Sequence, residues 1–72
     1  MKTNQRKYKI IHSILDTAYP IELSQRGPDD FCVIYGKQVK ATLTYAEAAH
    51  EFGECLFHAL ACDGKLDNNT KG

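Results

Sequence analysis

Thr44-Tyr-Ala-Glu-Ala-Ala-His-Glu-Phe-Gly-Glu-Cys-Leu-Phe-His-Ala-Leu-Ala-Cys-Asp-Gly64 decides how this chain folds. Thr44 and Glu47 stand three residues apart, the spacing at which a hydroxyl and a carboxylate satisfy each other's orphan backbone donors at a helix start. Gly64 supplies the left-handed residue that closes a helix, with Asp63 in the last turn. The stretch between them predicts one helix about 28 Å long.

Projected at the helical period, Glu47, His50, Glu51, Glu54 and His58 form a polar stripe. Ala46, Ala49, Gly53, Leu56 and Leu60 make a second stripe. Tyr45, Ala48, Phe52, Cys55, Ala59 and Cys62 make a third. The apolar arc is wider than one sheet contact needs, so two packing partners are implied. A chain of 72 residues buries only about 60% of its unfolded surface. A second copy is a natural source of further burial, and Phe52, Leu56, Phe57 and Leu60 are the expected dimer contacts.

Working back from the helix, Phe31-Cys-Val-Ile-Tyr35 reads as a strand and Gly36-Lys37 as a tight hairpin turn. Val39, Ala41 and Leu43 alternate with Lys40 and Thr42, which predicts a return strand with Val39, Ala41 and Leu43 inward. Ile21-Glu-Leu-Ser suggests an edge strand, and Arg26-Gly-Pro-Asp-Asp30 a turn. Asn4 can cap a first helix in which Tyr8, Ile11, Ile14, Leu15 and Ala18 recur before Pro20 ends it. The same Tyr8-Lys-Ile-Ile-His12 run also suits a strand, since isoleucine and tyrosine favour sheets. The expected fold is a small α+β single domain over residues 1–66, ordered α-β-β-β-α, with a long C-terminal helix packed on a short antiparallel sheet. Residues 67–72 read as a disordered tail.

The composition is that of a globular chain: 43% hydrophobic and 25% charged residues, too apolar for intrinsic disorder. No run predicts a membrane span or a signal peptide. Three cysteines, Cys32, Cys55 and Cys62, are poor material for a disulfide framework and fit a reducing compartment, so a cytoplasmic location is expected. Nine basic and nine acidic residues cancel, yet residues 1–40 sum to +3 and residues 41–72 to −3. Zero net charge argues against a dedicated nucleic-acid binder, although Arg6, Lys7, Lys9, Lys37 and Lys40 of the basic half supply an alternative nucleic-acid surface.

Chemistry is thin. Cys55, His58 and Cys62 share a helical face, with Cys32 or His12 as further ligands, but their spacing is not that of a usual zinc site and buried thiols are common. Asp63-Gly-Lys-Leu-Asp-Asn-Asn69 lacks the central glycine and closing glutamate of a calcium loop. His12, Ser13 and Asp16 come without an oxyanion element or nucleophile elbow. No cofactor, metal or catalytic residue is expected.

Three resemblances follow from these residues. Thr44-x-x-Glu47-Ala-Ala-x-x-x-Gly53 with Gly64-Lys-Leu66 resembles the opening of excisionase-type helix-turn-helix domains, although Leu56, Phe57, Ala59, Leu60 and Ala61 fill the recognition-helix positions, and an uninterrupted helix accommodates them. Gly27-Pro-Asp-Asp-Phe31 and Gly36-Lys37, in the order α-β-β-β-α, resemble the first turn and hairpin of double-stranded RNA-binding domains. That family places phosphate-clamping lysines at its second helix, where this chain has Tyr45 and Ala46. The whole chain is similar in style to small accessory proteins of enterobacterial phages and prophages, which implies a regulator that binds a host or phage protein as an antirepressor or anti-defence inhibitor. The acidic stripe of Glu47, His50, Glu51, Glu54 and His58 is then the expected protein-binding surface. Such charge matching speeds encounter and selects partners.

Overall fold

The computed structural model describes residues 7–66. Four antiparallel strands, β1 (Lys9–Ile14), β2 (Ile21–Gly27), β3 (Asp30–Tyr35) and β4 (Gln38–Leu43), precede one helix, α1 (Tyr45–Cys62). The strands pair in chain order as a meander, with β1 and β4 at the two edges. This is an α+β fold with the expected long C-terminal helix on a short sheet. Asn4, Arg6 and residues 67–72 lie outside the described residues. No helix among the described residues is long and apolar enough to cross a membrane.

The helix is built as its sequence ends require. Thr44 Oγ1 accepts from the Glu47 amide at 3.1 Å, while the Glu47 carboxylate accepts from the Thr44 amide at 2.9 Å. At the other end Gly64 has φ +71°. The Gly64 amide donates to the Ala61 carbonyl at 3.0 Å and the Lys65 amide to the Leu60 carbonyl at 2.8 Å, the paired bonds of a Schellman closure. The helix runs unbroken over 18 residues, so the helix-turn-helix resemblance ends at its first turn.

The first segment departs from the expected helix. Lys9–Ile14 is a strand, the alternative that its isoleucines favoured, and the order is β-β-β-β-α. A bulge explains the helix-like spacing. Lys9, Ile10 and His12 oppose Gln25, Ser24 and Leu23, so Ile11 is an extra residue that breaks the two-residue period. A double-stranded RNA-binding topology needs a helix at this position, and the segment does not supply it.

A second bulge redistributes β4. Phe31 opposes Leu43 and Val33 opposes Lys40, so three steps on β4 match two on β3. Thr42 sits within that extra step at φ +56°. The expected inward set of Val39, Ala41 and Leu43 is therefore corrected. Leu43 packs on the core, but Lys40 takes the helix-facing place and Val39 is 61% exposed beside Ile34 on the other face. The two-residue turn joining these strands places Gly36 first at φ +59°, as a type II′ hairpin requires.

Phe31, Val33 and Ala48 form the core between sheet and helix, with Leu23, Leu43, Phe52 and Cys55 packed around them. On the face turned from the helix, Cys32 and Ser24 oppose each other across β2 and β3 and are both buried. Tyr8 ties strands together near the end of the sheet where β3 begins. Its hydroxyl donates to Asp30 Oδ1 at 2.6 Å and accepts from the Thr42 amide at 3.0 Å, and its ring lies 4.4 Å from the Arg26 guanidinium. Arg26 Nε donates to Asp30 Oδ2 at 2.8 Å.

Candidate functional site, a groove between the helix and the β3–β4 hairpin

Strand alternation puts Phe31, Val33 and Tyr35 on the helix side of β3. The first two are covered by the helix, while Tyr35 reaches past the core to the C-terminal half of α1. There its hydroxyl shares a 2.7 Å hydrogen bond with His58 Nδ1. Tyr19, held before Pro20, meets Tyr35 edge-on with ring centroids 5.5 Å apart. The Gly36 amide donates to the Pro20 carbonyl at 2.9 Å, which locks this loop to the hairpin.

These contacts frame an open groove of about 850 Å³ between α1 and the hairpin. Tyr19, Pro20, Tyr35 and Cys55 line it with Lys37 and Lys40 from the hairpin and Glu51, Glu54 and His58 from the helix. Lys40 Nζ reaches Glu51 Oε1 at 2.9 Å. That bond raises the Lys40 ammonium above its ordinary range. Burial pushes the Tyr35 phenol upward, with the Cys62 and Cys55 sulfurs adding to the effect. Cys62 Sγ lies 3.9 Å from His58 Nδ1. The floor is aromatic and largely apolar, and the charged groups stand on its rim.

The expected acidic stripe divides in three. Glu51, Glu54 and His58 line the groove. Glu47 is committed to the capping box. His50 Nε2 lies 3.7 Å from Glu54 Oε2 on the exposed side of the helix. Within the stripe Glu51 is paired, because Lys40 comes to it from β4, a contact the helix sequence could not disclose.

The four expected dimer contacts do not share a face. Phe52 packs on the core with its ring 6.2 Å from that of His12, whereas Phe57 is exposed on the other side. Leu56 and Leu60 are half-buried, and Ala59 between them is wholly buried. The sheet buries Ala48 and Ala59 of the apolar arc, Tyr45, Ala46, Ala49 and Cys62 stay exposed, and of the four expected contacts Phe57 is the exposed one.

The basic residues also separate. Lys7 and Lys9 lie at the β1 edge, and Lys37 and Lys40 at the β4 edge, three strand spacings or about 14 Å away. Lys9 opposes Gln25 near one end of the sheet and Lys37 sits in the turn at the other. No single cationic track joins them. Among the described residues no three His, Cys, Asp or Glu side chains converge as a metal-binding group. Cys32 is on the opposite face of the sheet from α1, and burial raises its thiol pKa, as it does for Cys55.

Compared with known proteins, the chain matches no family model, no curated sequence and no solved structure. The groove therefore stands on its geometry alone.

Tyr35 was within reach of the sequence, since it shares parity with Phe31 and Val33 and directly precedes the turn glycine. Tyr19 and Pro20 carried no such signal. Their place in the groove comes from the loop between β1 and β2, which exists only because the first segment is a strand.

Proposed function

We propose that this chain is a small, non-enzymatic protein-binding regulator that grips its partner in the groove between α1 and the β3–β4 hairpin. The observation that carries the reading is the meeting of two aromatic walls, Tyr19 and Tyr35, with a rim of Glu51, Glu54, His58, Lys37 and Lys40 in one open concavity. An apolar floor with a charged rim is the anatomy of a protein-recognition site, where a buried anchor supplies affinity and rim charges supply selection. Glu51 already holds Lys40, while Glu54, exposed and 3.7 Å from His50, is the acid offered to a basic group beside the partner's apolar anchor.

The similarity in style to phage accessory proteins makes a host or phage protein the proposed partner, and inhibition or modulation of it the proposed effect. The test is capture from host lysate by the wild type, Tyr19→Ser, Glu54→Lys and the outer-face control Phe57→Ser. Loss of one partner with Tyr19→Ser and Glu54→Lys, but not with Phe57→Ser, is the expected result. A partner retained in full by both groove variants would remove the groove from the binding surface.

A further inference from the structure

Along α1 the row Tyr45, Ala49, Gly53, Phe57 and Ala61, each four residues from the next, runs about 24 Å down the helix without a charged side chain. Ala48 and Ala59, the buried residues of the helix, lie off this row. Tyr45 and Phe57 are 69% and 61% exposed, and Ala49 and Ala61 are exposed as well. A helix with one face on a sheet normally gives its outer line to charged and polar residues. Gly53, at the centre of the row, adds an independent observation. Glycine inside a helix costs stability relative to alanine, yet a Cβ at this position would meet nothing within 4 Å among the described residues. Their packing makes no use of the missing side chain, whereas close approach of a second backbone would.

We propose that this row is the contact of a homodimer, in which two copies of α1 cross antiparallel about a twofold axis at Gly53. The occupant follows from the order of sizes along the row. Rotation about Gly53 sets Tyr45 against the second copy's Ala61, Ala49 against its Phe57 and Gly53 against its Gly53, so every large side chain meets a small one. All five positions lie within the regular helix Tyr45–Cys62, which fixes their spacing. Rows of residues four apart align when two helices cross at about −50°, the commonest packing class, and a twofold contact repeats each pair and closes on itself. Ala49 and Gly53 line an open depression beside Phe57. Each copy therefore offers both the knob and the hollow that receives it. Of the residues around this depression only Glu54 also lines the groove, and the dimer does not depend on that site. A single helix crossing buries less than the roughly 800 Å² per partner of a standard interface, so the dimer is weak and forms at high micromolar concentration.

Sedimentation equilibrium of the wild type up to about 1 mM should show a reversible monomer–dimer equilibrium. Gly53→Ala gives two readouts of opposite sign. Its methyl groups collide at the axis and should weaken association about tenfold or more, while the monomer, unfolded at low micromolar concentration, should become more stable. Ala49→Phe and Phe57→Ala should each weaken the dimer, and Ala49→Phe/Phe57→Ala should restore it, because the twofold sets the exchanged pair against each other again. Both residues are exposed in the single chain, so circular dichroism should stay unchanged. A wild type that is monomeric throughout would overturn the proposal. So would a dimer that Gly53→Ala and Phe57→Ala leave intact, or one dissociated by Tyr19→Ser instead, which would move the contact to the groove.

Discussion

Val33 and Val39 are the same residue type on adjacent strands, yet the β4 bulge gives them opposite fates. Val33 is 2% exposed under the helix and Val39 is 61% exposed. Truncating Val33 to alanine removes two buried carbons, worth about 1.6 kcal/mol by transfer, and incomplete collapse of the cavity takes the cost to about 2–3 kcal/mol. A core of this size supplies about 3–5 kcal/mol, so Val33→Ala should lose about half or more of the stability and lower Tm by about 8–24 °C. Val39→Ala should change stability by no more than about 0.5 kcal/mol. Urea unfolding followed by circular dichroism measures both, with an unchanged slope confirming that the shift in midpoint reports stability. Equal losses at the two positions would mean that Val39 also faces the core, and would refute the bulged register.

Thr44→Ala should cost about 1 kcal/mol, because it strips the hydroxyl that accepts the Glu47 amide; thermal unfolding reads the loss. Hydrogen bonds from Tyr8 and then Arg26 hold the Asp30 carboxyl below its usual range, so its contribution is present above the unfolded carboxylate pKa and vanishes as pH falls through the folded one. The same bond to Asp30 raises the Tyr8 phenol, whose contribution is present below the ordinary tyrosine range and is lost as pH rises through the elevated value. Stability should form a plateau across neutral pH, with Asp30→Asn flattening the acid limb and Tyr8→Phe the alkaline one in urea midpoints taken against pH. Thiol titration with a disulfide reagent should modify exposed Cys62 first and Cys32 only at the rate of unfolding, since Cys32 is buried and its pKa is raised by that burial. Rapid labelling of all three cysteines would show that the far face of the sheet is open.

The helix and its two ends were legible in the sequence because capping is local chemistry. Thr44, Glu47 and Gly64 act through bonds within a few residues of themselves, and no distant partner can override them. The β3 strand and its Gly36 turn were legible for the same reason. The rest depended on bulges, which insert one residue and so exchange the faces of everything beyond them. Ile11 made a strand look helical, and the extra step at Thr42 turned Lys40 toward the helix and Val39 away from it. A one-residue insertion leaves composition and propensity unchanged, so only pairing against a neighbouring strand reveals it. The groove was hidden by the same physics. Its walls come from the β1–β2 loop, the hairpin and the helix, and Lys40 meets Glu51 across 11 residues of chain only after tertiary packing has closed the distance.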